Sequence, residues 1–222
     1  MTQVISVVQE KGGAGKTTLL TALASLMVAD GAKIAVIDTD PQRHLEAWAK
    51  KEQTSLDWLF QEDDEKLLPT VKALKKSEPA YDAIFVDTAG FKSAMAMHAI
   101  AAASLILIPS KANEADAKGA KRTYSHVQSV AETMEKEIPA LVVMMDVDAN
   151  TNITQAIVDA LDAQNVPRLN AMCAHRTGFK EMTSTGMAPQ GAAKTSAQTV
   201  LADLQSRGLI TFYRSGSWQK SV

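Results

Sequence analysis

The sequence predicts an α/β fold, a doubly wound and mostly parallel sheet flanked by helices, in a single domain over residues 1–222 with 208–222 as a tail candidate. Three observations carry this reading. Short β-branched runs recur along the chain, most of them are apolar without alternation, and helix-compatible stretches separate them. Unbroken apolar strands are the mark of a parallel sheet covered on both faces, and alternating strand and helix builds right-handed crossovers.

In order, Val4 to Val8 reads as the first strand and Thr17 to Ala29 as the helix after it. Lys33 to Ile37 is the second strand, followed by a helical stretch around Leu45 to Lys51 and a helix from Asp64 to Lys76. Ala83 to Val86, Leu105 to Ile108 and Leu141 to Met145 are the remaining predicted strands, with helices at Ser93 to Ala103, Glu114 to Lys136 and Ile153 to Gln164. Pro79, Pro109, Pro139 and Pro167 fall beside strand ends, where chain breakers belong. In such sheets ligands bind at the carboxyl ends of the strands, so the segments after Val8, Ile37, Val86, Ile108 and Met145 hold the candidate site.

Composition sets outer bounds. Apolar residues at 46% and charged residues at 22% exclude a disordered chain. No apolar run reaches the ~18 residues that would span a bilayer, and the first residues lack a basic, cleavable leader. One cysteine, Cys173, excludes an internal disulfide and a one-chain iron–sulfur cluster and points to a reducing cytoplasm. His44, His98, His126 and His175 show no ligand spacing. Met95, Met97, Met144 and Met145 read as core filling, Trp48 and Trp58 as packing residues, and Glu62 to Glu65 as an acidic helix start.

Chemistry concentrates in the first 90 residues. Lys11-Gly12-Gly13-Ala14-Gly15-Lys16-Thr17-Thr18 follows the first strand and opens a helix. Glycines let several N–H groups converge on one phosphate, reinforced by the helix terminus. Lys16 would reach the β- and γ-phosphates, and Thr17 would ligate Mg²⁺. Glu10 stands where the pattern G-x-x-x-x-G-K-[ST] has its first glycine. Asp38 and Asp40 end the second strand, and Asp87-Thr88-Ala89-Gly90 ends the third predicted one, supplying carboxylates for a metal shell and an attacking water. Gly90 would let the backbone approach the γ-phosphate.

The loop, with its extra Lys11, resembles the deviant Walker A motif of the ParA/MinD family of P-loop ATPases. That resemblance implies an ATP- and Mg²⁺-dependent, slow, partner-stimulated ATPase and an ATP-sandwich homodimer, with higher assembly left open. It implies that Lys11 reaches the partner subunit's phosphates, that Asp40 activates water, and that Thr17, Asp38 and Asp87 serve the metal. With no helix-turn-helix segment before the loop, the chain resembles the short, ParF-like class, which leaves DNA-site reading to a small centromere-binding or adaptor protein. Some plasmid-borne members serve DNA transfer or protein-complex positioning instead.

Relatives read adenine with Asn or Thr followed by Arg after the fifth predicted strand; here the sequence is Met145-Asp146-Val147-Asp148. Asp146 would accept from the adenine amino group or cap a loop, and the turn Pro109 to Asn113 is a second candidate for base or ribose.

Charge is uneven. Residues 166–222 hold seven Lys and Arg against Glu181 and Asp203, a net of +5, while residues 1–165 carry −7. A basic last third suits a polyanion, and Arg176, Lys180, Lys194 and Arg207 are the candidates for non-specific DNA binding, with the protein nucleoid-associated and no membrane partner expected. Two alternatives stay open: a MinD-like membrane-cycling ATPase, which needs an amphipathic carboxyl-terminal helix where the tail Leu209 to Val222 has Phe212, Tyr213 and Trp218 but Gly208, Gly216, Ser215, Ser217 and Ser221 break helical continuity, and a metabolic ligase resembling dethiobiotin synthetase.

Overall fold

A computed structural model describes residues 2–51, 56–90 and 93–211. The predicted tail aromatics Phe212, Tyr213 and Trp218 lie outside the described residues. The order of elements is β1 (Gln3–Val7), α1 (Lys16–Ala29), β2 (Ile34–Asp38), α2 (His44–Ala49), β3 (Asp57–Phe60), α3 (Asp64–Leu74), β4 (Ala83–Asp87), α4 (Ala94–Ala102), β5 (Leu105–Ser110), α5 (Glu114–Thr133), β6 (Ala140–Val147), α6 (Asn152–Ala163), β7 (Arg168–Ala174), α7 (Thr177–Thr185) and α8 (Gly191–Ser206).

The sheet runs β3-β2-β4-β1-β5-β6-β7, every pairing parallel. Side chains of each strand alternate between two cores. Ile5, Val7, Phe85 and Leu107 pack under α1, α2, α7 and α8, while Val4, Val8, Ile84 and Ile106 pack under α3, α4, α5 and α6. The prediction of a sheet buried on both faces is met, and β1 lies between β4 and β5, where the order of strands reverses.

Helix α1 is buried on nearly all sides. It tolerates Thr21 and Ser25 there because each hydroxyl donates back along the helix, Thr21 Oγ1 to Thr17 O at 2.7 Å and Ser25 Oγ to Thr21 O at 2.7 Å.

Some details differ from expectation. Two strands, β3 and β7, were not predicted. Pro109 lies inside β5, in register with Val143, rather than beside the strand; its carbonyl accepts from Gln9 Nε2 at 3.0 Å. Helix α5 stops at Thr133 rather than Lys136 because Glu135 turns left-handed (φ 52°) and Lys136 N donates back to Ala131 O at 2.9 Å. Met97 is 47% exposed and fills no core, unlike Met95.

Edge strand β7 is sealed. Asp203 Oδ2 on α8 accepts from Asn170 N (2.7 Å) and Ala171 N (2.9 Å), and Ser196 Oγ accepts from Ala174 N at 2.9 Å.

Candidate nucleotide site

Gly13 (φ 74°) and Gly15 (φ 100°) take left-handed backbone that a side chain would strain, folding the loop after β1 tightly back into α1. Glu10 needs no such conformation, which accounts for the missing first glycine. Its side chain instead faces α5 and accepts from Arg122 Nε at 2.8 Å. Gly15 is the N-cap of α1 and offers no side-chain cap, and no acidic residue stands in the first turn, so the helix terminus presents bare N–H groups to an anion.

Lys16 and Thr17 are the first residues of α1. Lys16 is buried, and that burial holds its ammonium below the usual lysine range against the pull of Asp87 and Asp40. Thr17 Oγ1 donates to Asp87 Oδ2 at 2.7 Å. The other carboxylate oxygen, Asp87 Oδ1, is buried without a hydrogen-bond partner among the described residues. A hydroxyl and a half-satisfied buried carboxylate at the foot of a phosphate loop fit the inner and outer shell of Mg²⁺.

Parallel register places Asp38 opposite Asp87. Asp38 is fully buried, and its oxygens are both engaged, Oδ1 by Asp40 N (2.9 Å) and Oδ2 by Glu46 N (3.2 Å). It therefore braces the turn into α2 at the same time as it stands opposite Asp87. Asp40 is half-buried, accepts from Gln42 N at 2.9 Å, and lines a cavity of about 480 Å³ with Gly12, Lys16 and Thr17.

Burial, with Asp38 and Asp40 nearby, raises the Asp87 carboxyl from 3.8 to about 7 despite the Thr17 hydrogen bond and Lys16. A carboxyl raised on folding is most stable protonated, so this group's contribution to the metal-free fold is present below about pH 4 and is lost as pH rises through about 7. Asp87→Asn should thus melt higher than wild type at pH 8 in EDTA, by up to about 4 kcal/mol, with the gap closing by pH 4. A scanning calorimetry pair at the two pH values checks it; equal melting at pH 8 would contradict the strained carboxylate.

On the other side of the loop, Gly13, Ala14, Gly15 and Thr18 close a cavity of about 180 Å³ with Met145, Asp146, Arg176, Phe179 and Lys180. Asp146 takes left-handed backbone (φ 57°), accepts from His175 Nδ1, and lies 3.7 Å from Lys111 Nζ. Both candidates for base and ribose, Asp146 and the turn carrying Lys111, therefore reach one place. His175, Phe179 and Met145 were not singled out for this site; they follow β7 or end β6, and β7 itself was not predicted.

The four DNA candidates separate. Arg176 and Lys180 line the cavity against the phosphate loop. Exposed Lys194 sits in the first turn of α8, which packs beside α7 at Gly178 and Ala193. Arg207 caps the far end of α8, roughly 20 Å along the helix, where it is held by Asp203 at 2.7 Å and by the Arg168 carbonyl. A wider groove of about 720 Å³, between the end of α5 and the start of β6, lies at the amino ends of the strands and gathers no phosphate-binding loop.

Known proteins resemble the chain in sequence and in fold. The family model described as VirC1 protein matches residues 2–211. Protein virC1 of Rhizobium radiobacter is 27% identical over 190 residues, covering 83% of this chain and 82% of that protein. Protein ParA of Rhizobium radiobacter is 29% identical over 140 residues, 63% of each. Among solved structures, apo McdA of Cyanothece superposes with a TM-score of 0.76 at 17% identity, covering 92% of this chain and all of that one. A Borrelia burgdorferi plasmid partition protein bound to AMPPNP gives 0.75 at 14% identity, covering 93% of this chain and 100% of that one. With the match spanning nearly all the described residues, the chain belongs to the VirC1 family, and its fold is that of ParA and MinD.

Proposed function

We propose that this chain is an ATP-driven positioning ATPase that dimerises around ATP, holds DNA non-specifically as the dimer, and is released when an adaptor protein stimulates hydrolysis. The observation that carries the reading is the Thr17–Asp87 pair with its unsatisfied Asp87 Oδ1, set beside buried Lys16 at a bare helix terminus. Bound Mg²⁺ would polarise the terminal phosphate. The rest falls to the chain: Lys16 and the α1 N–H groups neutralise the phosphates, Asp40 orients and takes the proton from water, and the Asp146 cavity takes the nucleoside. Lys11, 43% exposed on the rim of the loop, supplies the cation that would cross to a partner subunit. The relative named ParA and the structural neighbour named for plasmid partition support a cargo-positioning role.

Arg176 and Lys180 belong with the nucleotide in this reading, which leaves Lys194 as the cleanest probe of DNA contact. A second copy would double each basic contact, and every phosphate neutralised adds about −0.9 to the slope of log affinity against log salt. Duplex DNA should pellet with the protein in ATP and not in ADP. Lys194→Glu should weaken that binding severalfold and flatten its salt dependence, with basal ATPase activity unchanged. Binding that ignores the nucleotide would overturn the cycle, and unaltered binding by the Lys194 variant would move the interface elsewhere. Anionic liposomes in the same assay test the membrane-cycling alternative.

A further inference from the structure

Helix α2 is too short to place itself. It has six residues, well under the length at which a helix holds its shape unaided. It starts from Arg43 in left-handed backbone (φ 52°) with no side-chain cap. The turn before it carries Asp40. Arg43 N donates to Asp40 O at 2.8 Å and Gln42 N to Asp40 Oδ1 at 2.9 Å, so the carboxylate and the helix form one unit. Where that unit sits depends on what holds α2 at its other end.

That end is fastened to α7. The Trp48 indole, 2% exposed, donates through Nε1 to Met182 O at 3.1 Å, and Lys51 Nζ donates to Ser184 O at 3.4 Å. Gly186 lies so close to the Lys51 backbone that a methyl group there would overlap it. Helix α7 is a shared wall, since Thr183 lines both the cavity of Asp40 and the cavity of Asp146. The indole bond exceeds what packing requires. Leu45 and Ala49 are also buried on α2, and Met182 O accepts from Gly186 N at 3.0 Å without it. What the indole N–H adds is a directional link between the two helices.

We propose that Trp48 is a positioning residue for Asp40: its bond to α7 fixes how α2 leaves the phosphate cavity, and with it the place of the Asp40 carboxylate. The proposal rests on the reading above in which Asp40 orients the attacking water. Trp48→Phe keeps an aromatic ring and removes the N–H. Because Met182 O keeps its bond from Gly186, no buried polar group is orphaned. Turnover at saturating ATP should fall by about tenfold to a hundredfold, the cost of a small misplacement of a reacting group. Affinity for AMPPNP should stay at the wild-type value, since the phosphate loop is untouched. A residue that only filled the core would lower melting and leave turnover per folded molecule alone.

The decisive measurement is a double-mutant cycle on ATP turnover in the full chain. If Trp48 acts through Asp40, then Asp40→Ala should cost far less in the Trp48→Phe background than the roughly hundredfold it costs in wild type. Fully additive losses would overturn the proposal, as would wild-type turnover in Trp48→Phe. Should Trp48→Phe not fold cooperatively, Gly186→Ala decides. Its methyl group displaces the end of α2 from the other side, so turnover should again fall with AMPPNP affinity unchanged, and wild-type turnover there would overturn the proposal. Failure of the underlying Asp40 reading shows separately, as an Asp40→Ala protein that hydrolyses ATP at the wild-type rate.

Discussion

Lys16→Ala should abolish ATP binding in a direct titration. Lys16 is the buried cation at the head of α1, and the carboxylates around it, Asp87 and Asp40, already load the site with negative charge. Bringing a triphosphate into that crevice without Lys16 sets like charges together where water cannot screen them, which costs several kcal/mol, about a thousandfold or more in affinity. The fold should survive, since removing a desolvated ammonium relieves strain as well as an attraction. Wild-type affinity in the variant would refute the phosphate-loop assignment.

The second large effect separates binding from turnover. Asp40→Ala should retain ATP and lose hydrolysis by about a hundredfold or more, because Asp40 lines the cavity beside Lys16 and Thr17 while the loop itself stays intact. The variant should accumulate as an ATP dimer. Lys11→Ala should bind ATP as a monomer and neither dimerise stably nor hydrolyse. Light scattering with ATP reads both at once; a monomeric Asp40 variant or a dimeric Lys11 variant would contradict the assigned roles.

How much of this was legible in the sequence follows from distance along the chain. The phosphate loop and the ends of β2 and β4 are local patterns, each a few residues long and set after an apolar run, so Lys16, Thr17, Asp38, Asp40 and Asp87 could be named before any fold was known. Strand β7, Arg168–Ala174, hid because it is an edge: only alternate residues such as Leu169, Ala171 and Cys173 are buried, and none of its residues is β-branched. Strand β3 is four residues of Asp-Trp-Leu-Phe, too short to carry a period. With β7 missed, the residues after it could be read only by charge, so Arg176 and Lys180 were named as DNA candidates without sight of the cavity they line against the phosphate loop. Trp48 carries no local signature of its link to α7, because the carbonyl it meets lies 134 residues away.

The sealing of β7 by α8 has a consequence for how copies of this chain can meet. A bare outer strand invites a neighbour to extend the sheet, and such growth has no natural stopping point. Here Asp203 and Ser196 take up β7 N–H groups from within the same chain, and the opposite edge, β3, is only four residues long and begins with exposed Asp57. Neither flank offers a long template for open-ended lateral stacking. In the proposed cycle the meeting of two copies would therefore fall to the loops at the carboxyl ends of the strands, where a twofold arrangement closes on itself and a nucleotide rather than backbone adhesion would govern whether the copies stay together.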